Sequence, residues 1–327
     1  GYRLLTEKIK VANNDNKRLK IFCAVYTHPV NEDIRLAIGE TWGGHCDGYM
    51  SATLKTDEKM GTVHIPHMGE ENYNGIWQKV RSMWSYIHDN FLESYDFFNI
   101  CGDDTFVIVE NLRTFLESKR VEHDAGGPGY PKPLYIGMPI MSGNNQTYFN
   151  GGGSGYTLNR AALKMLVQEG FPVCRPFVNA SAEDRFVGDC FRSFGVRGYD
   201  ARDDAGEQRY LNEPNFVYNF HPNNSDPMSR WWAGNTRGMP PKYGLEAASH
   251  ESVSFHHIRT PAKVRRIYKI LYRQKMADCS ADGSDEPGRV MPEEYYDSLP
   301  HNNCSWNFAS GKYQSCPFPL YMEYESH

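Results

Sequence analysis

The chain of 327 residues lacks the features that would place it in several large classes. It has no run of about 18 apolar residues, so no segment reads as a membrane-spanning helix. It has no excess of positive charge. Lys and Arg number 35 against 40 Asp and Glu, a net charge of −5, which argues against a nucleic acid or an anionic membrane held by bulk electrostatics. None of its cysteines forms a C-x-x-C pair, so a zinc ribbon or thioredoxin-type motif is unsupported. There is no G-x-S-x-G nucleophile elbow. There is no Walker spacing, and His250-Glu251 with His256 does not have the H-E-x-x-H spacing of a zincin. No internal repeat is visible. The chain opens Gly1-Tyr2-Arg3 without an initiator Met or a signal-peptide pattern, so we expect a processed or trimmed piece whose membrane anchor lies outside it.

What is present is an ordinary globular composition, 40% hydrophobic and 23% charged. The length suggests roughly two domains, or one large α/β domain with insertions, and suffices to bury a core without staples. The eight cysteines are Cys23, Cys46, Cys101, Cys174, Cys190, Cys279, Cys304 and Cys316. N-x-[S/T] sequons stand at Asn145, Asn179, Asn223 and Asn303, each a candidate N-glycosylation site. An even cysteine count with sequons favours a lumenal or secreted protein. The pairings we expect are Cys23–Cys46, Cys174–Cys190 and Cys304–Cys316. Cys101, inside an apolar run, reads as a small buried hydrophobe.

Short apolar runs alternate with helical patterns along the chain. Lys20–Tyr26 reads as a buried first strand and Asn31–Trp42 as a helix, with Asn31 as N-cap and Glu32 and Asp33 in the first turn. Asp47–Thr53 is the next strand. From Asn74 to Phe91, Trp77, Val80, Trp84, Ile87 and Phe91 recur at three- and four-residue steps, a helical face. Tyr95–Cys101 is a central strand that ends at Gly102-Asp103-Asp104, followed by a short helix to Leu116. His123–Pro133 is a loop. Helices are expected over Asn159–Glu169 and 183–196, a long loop region over 212–250, a strand over Val253–Ile258 and a basic amphipathic helix over Pro261–Lys275. This alternation implies an α/β fold with a mainly parallel central sheet flanked by helices.

Four segments carry chemistry. Asp103-Asp104 stands directly after an apolar strand, where open α/β sheets bind ligands. Adjacent carboxylates repel unless a cation or donor neutralises them, and oxygen ligands suit Mg²⁺ or Mn²⁺ beside substrate phosphates. Two solvated acids at a turn are the plainer reading. Gly151-Gly152-Gly153-Ser154-Gly155 lets backbone approach a ligand closely, or is simply a flexible turn. Glu183-Asp184 opens a helix, where acids serve as ordinary N-terminal complements or as a general base facing a sugar hydroxyl. His256-His257 ends a strand, and neighbours on a strand point to opposite faces, so only one of the two is expected to face a shared site. Trp77, Trp231, Trp232 and Tyr243 are candidates to stack on sugar rings.

Taken in order, these segments resemble one family. Glu40-Thr41-Trp42, Gln78-Lys79 with Tyr86-Ile87-His88, the Asp103-Asp104 strand end, Gly151 to Tyr156, Glu183-Asp184-x-x-Val187-Gly188, Asp200-Ala201-Arg202-Asp203 and Val253-Ser254-Phe255-His256 together are similar to the inverting β-1,3-glycosyltransferases of glycosyltransferase family 31. Within it they most resemble the core 1 β-1,3-galactosyltransferases (T-synthases) and the fringe enzymes. The resemblance runs from about Lys20 to Tyr272. It implies a GT-A fold, a Rossmann-like nucleotide-binding sheet merged with an acceptor-binding half. Its boundaries here are a lead-in at 1–17, a catalytic domain over 18–276 (donor half about 18–140, acceptor half about 141–276) and a disulfide-stapled extension over 277–327.

The family uses a UDP-sugar donor and Mn²⁺, with Mg²⁺ as the substitute. The resemblance implies Asp104, His256 and Asp103 at the metal, and Asp184 as the base. It puts Thr41, Lys79, Asp103 and Asp104 at the donor, and Gly152, Gly153, Tyr156, Glu183, Trp231 and Trp232 at the acceptor. The implied reaction moves a hexose, galactose as first choice, to the 3-hydroxyl of an acceptor sugar such as GalNAc O-linked to Ser or Thr. The implied home is the Golgi lumen, in a type II membrane protein, with a homodimer left open. The family carries three acids at the strand end, and here the first is Gly102. A fringe-like transferase using UDP-GlcNAc or UDP-glucose, or a non-catalytic homologue acting as a binding or chaperone protein, are the alternatives.

Overall fold

The computed structural model describes residues 18–141, 148–212 and 248–273, with the backbone of 305–307 and 312–314. The apolar run after Lys20 becomes strand β1 (Ile21–Tyr26), flanked by β2 (Gly48–Thr53) and then β3 (Thr62–His64). On its other side lies β4 (Phe97–Gly102). β5 (Phe106–Val107) follows the acidic turn, and β6 (Tyr135–Gly137), β7 (Pro139–Met141), β8 (Tyr148–Asn150), β9 (Tyr156–Asn159), β10 (Gly198–Asp200), β11 (Tyr210–Leu211) and β12 (Ser254–Phe255) complete the strands to residue 273. A seven-stranded sheet has the order β10-β6-β9-β4-β1-β2-β3.

The sheet is parallel at β1–β2, β2–β3, β1–β4 and β6–β10, but β9 runs antiparallel to both β4 and β6. A parallel return needs a crossover, usually a helix, lying on the sheet. The chain between β6 and β9 carries instead the antiparallel β7–β8 pair.

Both faces of the sheet are covered, by helices α1 (Glu32–Gly39), α2 (Ile76–Phe91), α3 (Val109–Leu116), α4 (Lys119–Asp124), α5 (Arg160–Met165), α6 (Glu183–Ser193) and α7 (Pro261–Tyr268). Side chains on a strand alternate between faces. Ile21, Cys23 and Val25 of β1 accordingly pack in one core with Ala37, Leu112 and Val264, whereas Phe22 and Ala24 pack in the other with Val80, Trp84, Leu163 and Val187. Continuous apolar strands are what a sheet buried on both sides requires.

Several boundaries differ from the sequence expectation. α1 stops at Gly39, and Trp42–His45 forms a separate tight turn. The segment ahead of the expected loop forms α4, capped by the Ser118 hydroxyl. α5 is capped by Asn159, whose Oδ1 accepts from Ala162 N at 2.9 Å. The Cys23–Cys46 and Cys174–Cys190 disulfides are formed, and Cys101 is a buried free thiol. Cys304, Cys316 and their expected pairing lie outside the described residues, as do Asn145, Asn223 and Asn303; Asn179 is exposed. The short strands β13 (Ser305–Asn307) and β14 (Lys312–Gln314) pair antiparallel. Among the described residues, no helix is long and apolar enough to cross a membrane.

Candidate active site

β4 ends on a turn in which Thr105 N donates to Gly102 O, and this turn presents Asp103 and Asp104. The chain then enters β5, which pairs antiparallel with β12, setting Phe106 opposite Phe255. That pairing carries the residues after β12 back to the turn, where Ile258 N donates to Asp104 O at 2.8 Å. A second small sheet, β11-β12-β5, thus brings an imidazole from near the end of the domain to the carboxylates.

The two acids diverge. Asp103 Oδ2 accepts from Thr27 Oγ1 at 2.5 Å and from Asn31 Nδ2 at 3.0 Å. Asp104 Oδ2 faces His256 Nε2 at 3.4 Å. Burial raises the Asp103 carboxyl, only partly countered by its two donors. Burial also opposes charge on Asp104, but His256, with Arg259 and His257 nearby, brings it down to about 2. One carboxylate is thus held as a firm anion.

His256 is aimed by its other nitrogen. Nδ1 lies 2.9 Å from the Asn212 carbonyl, which can only accept, so Nδ1 carries the proton and Nε2 is turned to Asp104. Orientation of a ligating imidazole by a carbonyl is the usual support of a metal site. Ligand atoms of Asp104, His256 and His257 lie within 4.8 Å of one another, a donor set of carboxylate and imidazoles that fits a divalent transition ion such as Mn²⁺. Asp103, expected at the metal, is not in this group, because consecutive carboxylates in the turn point apart. His257 is in it. Strand alternation would turn it away, but β12 ends at Phe255 and His257 has φ of +66°, so its ring stacks on His256 at 3.8 Å.

A second carboxylate pair opens α6. Asp184 Oδ2 accepts from Gly152 N at 2.8 Å and its Oδ1 from Arg185 N at 2.7 Å. Glu183 is buried, and its Oε2 accepts from Tyr156 Oη at 3.0 Å, which in turn accepts from Trp84 Nε1. Burial pushes both carboxyls up, Glu183 further because Asp184 is beside it. Asp184 keeps some exposure.

The glycine segment separates and joins the two pairs. A Cβ on Gly152 would lie 2.4 Å from Glu183 Oε1, and one on Gly153 2.4 Å from the His256 ring. A side chain at either position would displace Glu183 or His256, so glycine suits this close approach. Thr105 Oγ1 donates to Gly153 O and Ser254 Oγ to Ser154 O, both at 2.7 Å, clamping this segment to the β5 and β12 strands.

Other expected positions fall differently. Lys79 is buried, donates to Thr27 O at 2.6 Å and pairs with Glu71, so it supports the residue that holds Asp103. Thr41 is buried and its hydroxyl donates to Ala37 O at the end of α1. Tyr156 is fully buried, so it positions Glu183 and cannot touch an acceptor. Trp77 is core, its Nε1 donating to Arg175 O. Trp231, Trp232 and Tyr243 lie outside the described residues. Sequence reasoning missed Thr27, Asn212, His257 and Arg259, and assigned Asn31 to a cap. Asn31 stands at the N-cap position, but its amide reaches Asp103 and makes no cap bond. At Gly102, a Cβ would lie 3.1 Å from Tyr26 Cε2 and 3.2 Å from Asp104 Oδ1, so the Tyr26 ring takes space that an acidic side chain would need.

No protein-family model matches the chain. It is 27% identical over 260 residues to glycoprotein-N-acetylgalactosamine 3-beta-galactosyltransferase 1 of Xenopus laevis, covering 78% of this chain and 67% of that protein. It is 22% identical over 210 residues to chondroitin sulfate synthase 3 of Mus musculus, and 22% over 212 residues to that of Homo sapiens. These matches cover 60% of this chain and only 20% of either synthase. The relatives agree with the motif resemblance, and the chain is similar to β-1,3-glycosyltransferases.

Proposed function

We propose that this chain is an inverting, cation-dependent transferase of GT-A architecture. It moves a hexose, galactose as first choice, from a UDP-sugar to the 3-hydroxyl of GalNAc on Ser or Thr of a glycoprotein. The observation that carries this reading is the Asp104–His256 pair, a half-buried anion facing an aimed imidazole across the glycine segment from Asp184. Asp104, His256 and His257 would hold the cation, which when bound supplies charge neutralisation for the leaving diphosphate. Asp184 removes the acceptor hydroxyl proton as that oxygen bonds to the anomeric carbon from the face opposite UDP. The carbon–phosphate oxygen bond breaks and UDP leaves with its electron pair, so the anomeric centre inverts without a covalent enzyme intermediate. Gly152 N orients Asp184, and the buried Glu183 packs beside it. Mn²⁺ is the proposed ion and the Golgi lumen the proposed site of action.

A second reading of donor choice, in which UDP-GlcNAc or UDP-glucose replaces UDP-galactose, rests on Gly102 standing where the family carries an acid. Both readings are tested with a panel of UDP-sugars against O-GalNAc and O-fucose peptides, with Mn²⁺ and with EDTA. Transfer of galactose to O-GalNAc, lost in EDTA, is expected. Asp104→Ala should abolish Mn²⁺-dependent UDP binding by calorimetry; unchanged affinity would remove the metal assignment.

A further inference from the structure

Arg259 lies at the rim of the Asp104–His256 pair and has no part in the reaction just described. Its Nε is 3.4 Å from Asp104 Oδ2, the same oxygen that His256 Nε2 faces at 3.4 Å. Its Nη2 donates to His257 Nδ1 at 2.7 Å. The side chain is 61% exposed, so little packing holds it there. Lys263 is near, its ammonium pushed down by burial and by the Arg259 charge. One guanidinium therefore stands against both a carboxylate and an imidazole of the candidate cation group.

A divalent ion bound by Asp104 Oδ2 and His256 Nε2 would sit against this guanidinium. The two positive charges cannot share one carboxylate oxygen without repulsion. Arg259 also takes up the His257 Nδ1 lone pair, so that nitrogen opens to a cation only when the guanidinium leaves. Its departure would release both. A planar guanidinium leaving a carboxylate is best received by phosphate oxygens, which match its fork of donors.

Resting on the function proposed above, we infer that Arg259 is a cation surrogate that passes from Asp104 and His257 to the diphosphate of the donor when metal and nucleotide bind. Arg259 then opposes binding of the metal alone and favours binding of the metal–diphosphate pair. A residue with a merely structural role would weaken both when removed.

Arg259→Gln separates these effects. Calorimetry with Mn²⁺ alone should show affinity tightened about two- to fivefold, the scale of an exposed ion pair. Calorimetry with UDP at saturating Mn²⁺ should show affinity weakened about 10- to 100-fold, the scale of a charged hydrogen bond. UMP, with a single phosphate, should lose clearly less than UDP. Arg259→Lys, which keeps the charge without the fork, should restore the wild-type Mn²⁺ affinity but not the full UDP affinity. Unchanged or weaker Mn²⁺ binding in Arg259→Gln, or equal losses for UDP and UMP, overturns the inference. Wild-type protein that binds neither Mn²⁺ nor UDP would instead overturn the function on which it rests.

Discussion

Asp184 is the residue on which the proposed chemistry turns. Burial raises its carboxyl, while the backbone N–H groups of Gly152 and Arg185 favour the ionised form. A carboxylate raised in this way accepts a proton more readily than a solvated one. Asp184→Asn keeps the size and one acceptor oxygen but cannot take the proton. Transfer should fall about 10²- to 10⁴-fold with UDP affinity in Mn²⁺ held within about twofold, as read by calorimetry beside a sugar-transfer assay. Turnover near that of the wild type would remove Asp184 from the base role. Asp103 and Asp104 show why identity alone does not assign roles. They are adjacent and chemically identical, but Thr27 and Asn31 claim one and His256 the other.

At the scale of elements, α7 decides whether the residues leaving β12 stay near the cation group. The helix is tied to the core by a network of four side chains. Glu110 of α3 accepts from His45 Nδ1 at 2.6 Å and from Tyr272 Oη at 2.6 Å, and His45 Nε2 meets Tyr268 Oη at 2.9 Å. Burial disfavours the Glu110 charge, but His45 and Tyr272 outweigh it and hold the carboxyl below its ordinary range. A carboxyl lowered by folding adds stability above its unfolded value, near pH 4.3, and that stability is lost as pH falls through the lower folded value. Glu110→Gln should therefore cost about 1.5–3 kcal/mol near neutral pH. In urea melts its gap from the wild type should narrow as pH is lowered below about 4. A gap constant across that range would show that the Glu110 charge contributes nothing to docking of the helix.

For the whole molecule, two disulfides brace opposite faces of the sheet. Cys23 on β1 is joined to Cys46, just before β2, and Cys174 is joined to Cys190 on α6. They close loops with sequence separations of 23 and 16. Loop closure of this size restricts the unfolded chain, so replacing either pair with alanine should cost about 2–4 kcal/mol. Peptide mapping without reductant should recover both cross-linked pairs, with Cys101 reacting with thiol reagents only after denaturation. Free thiols at Cys23, Cys46, Cys174 and Cys190 in native protein would contradict folding in an oxidising compartment.

The alternation of strands and helices, the two-faced burial of β1 and the placement of Asp103-Asp104 at a strand end were readable from the sequence. Each rests on local periodicity, two residues in strands and about 3.6 in helices, or on the end of an apolar run. What only the tertiary structure decided is how the groups meet. Arg259 and Asp104 are 155 residues apart and come together through the β5–β12 ladder, two residues long on each strand and too short for any pattern to announce. The left-handed backbone at His257, the amide of Asn31 turned to Asp103 and the reversal of β9 follow from neighbours supplied by packing. Local pattern sets which face of an element is apolar; the partner of each polar atom is set by long-range pairing, which no nearby residue encodes.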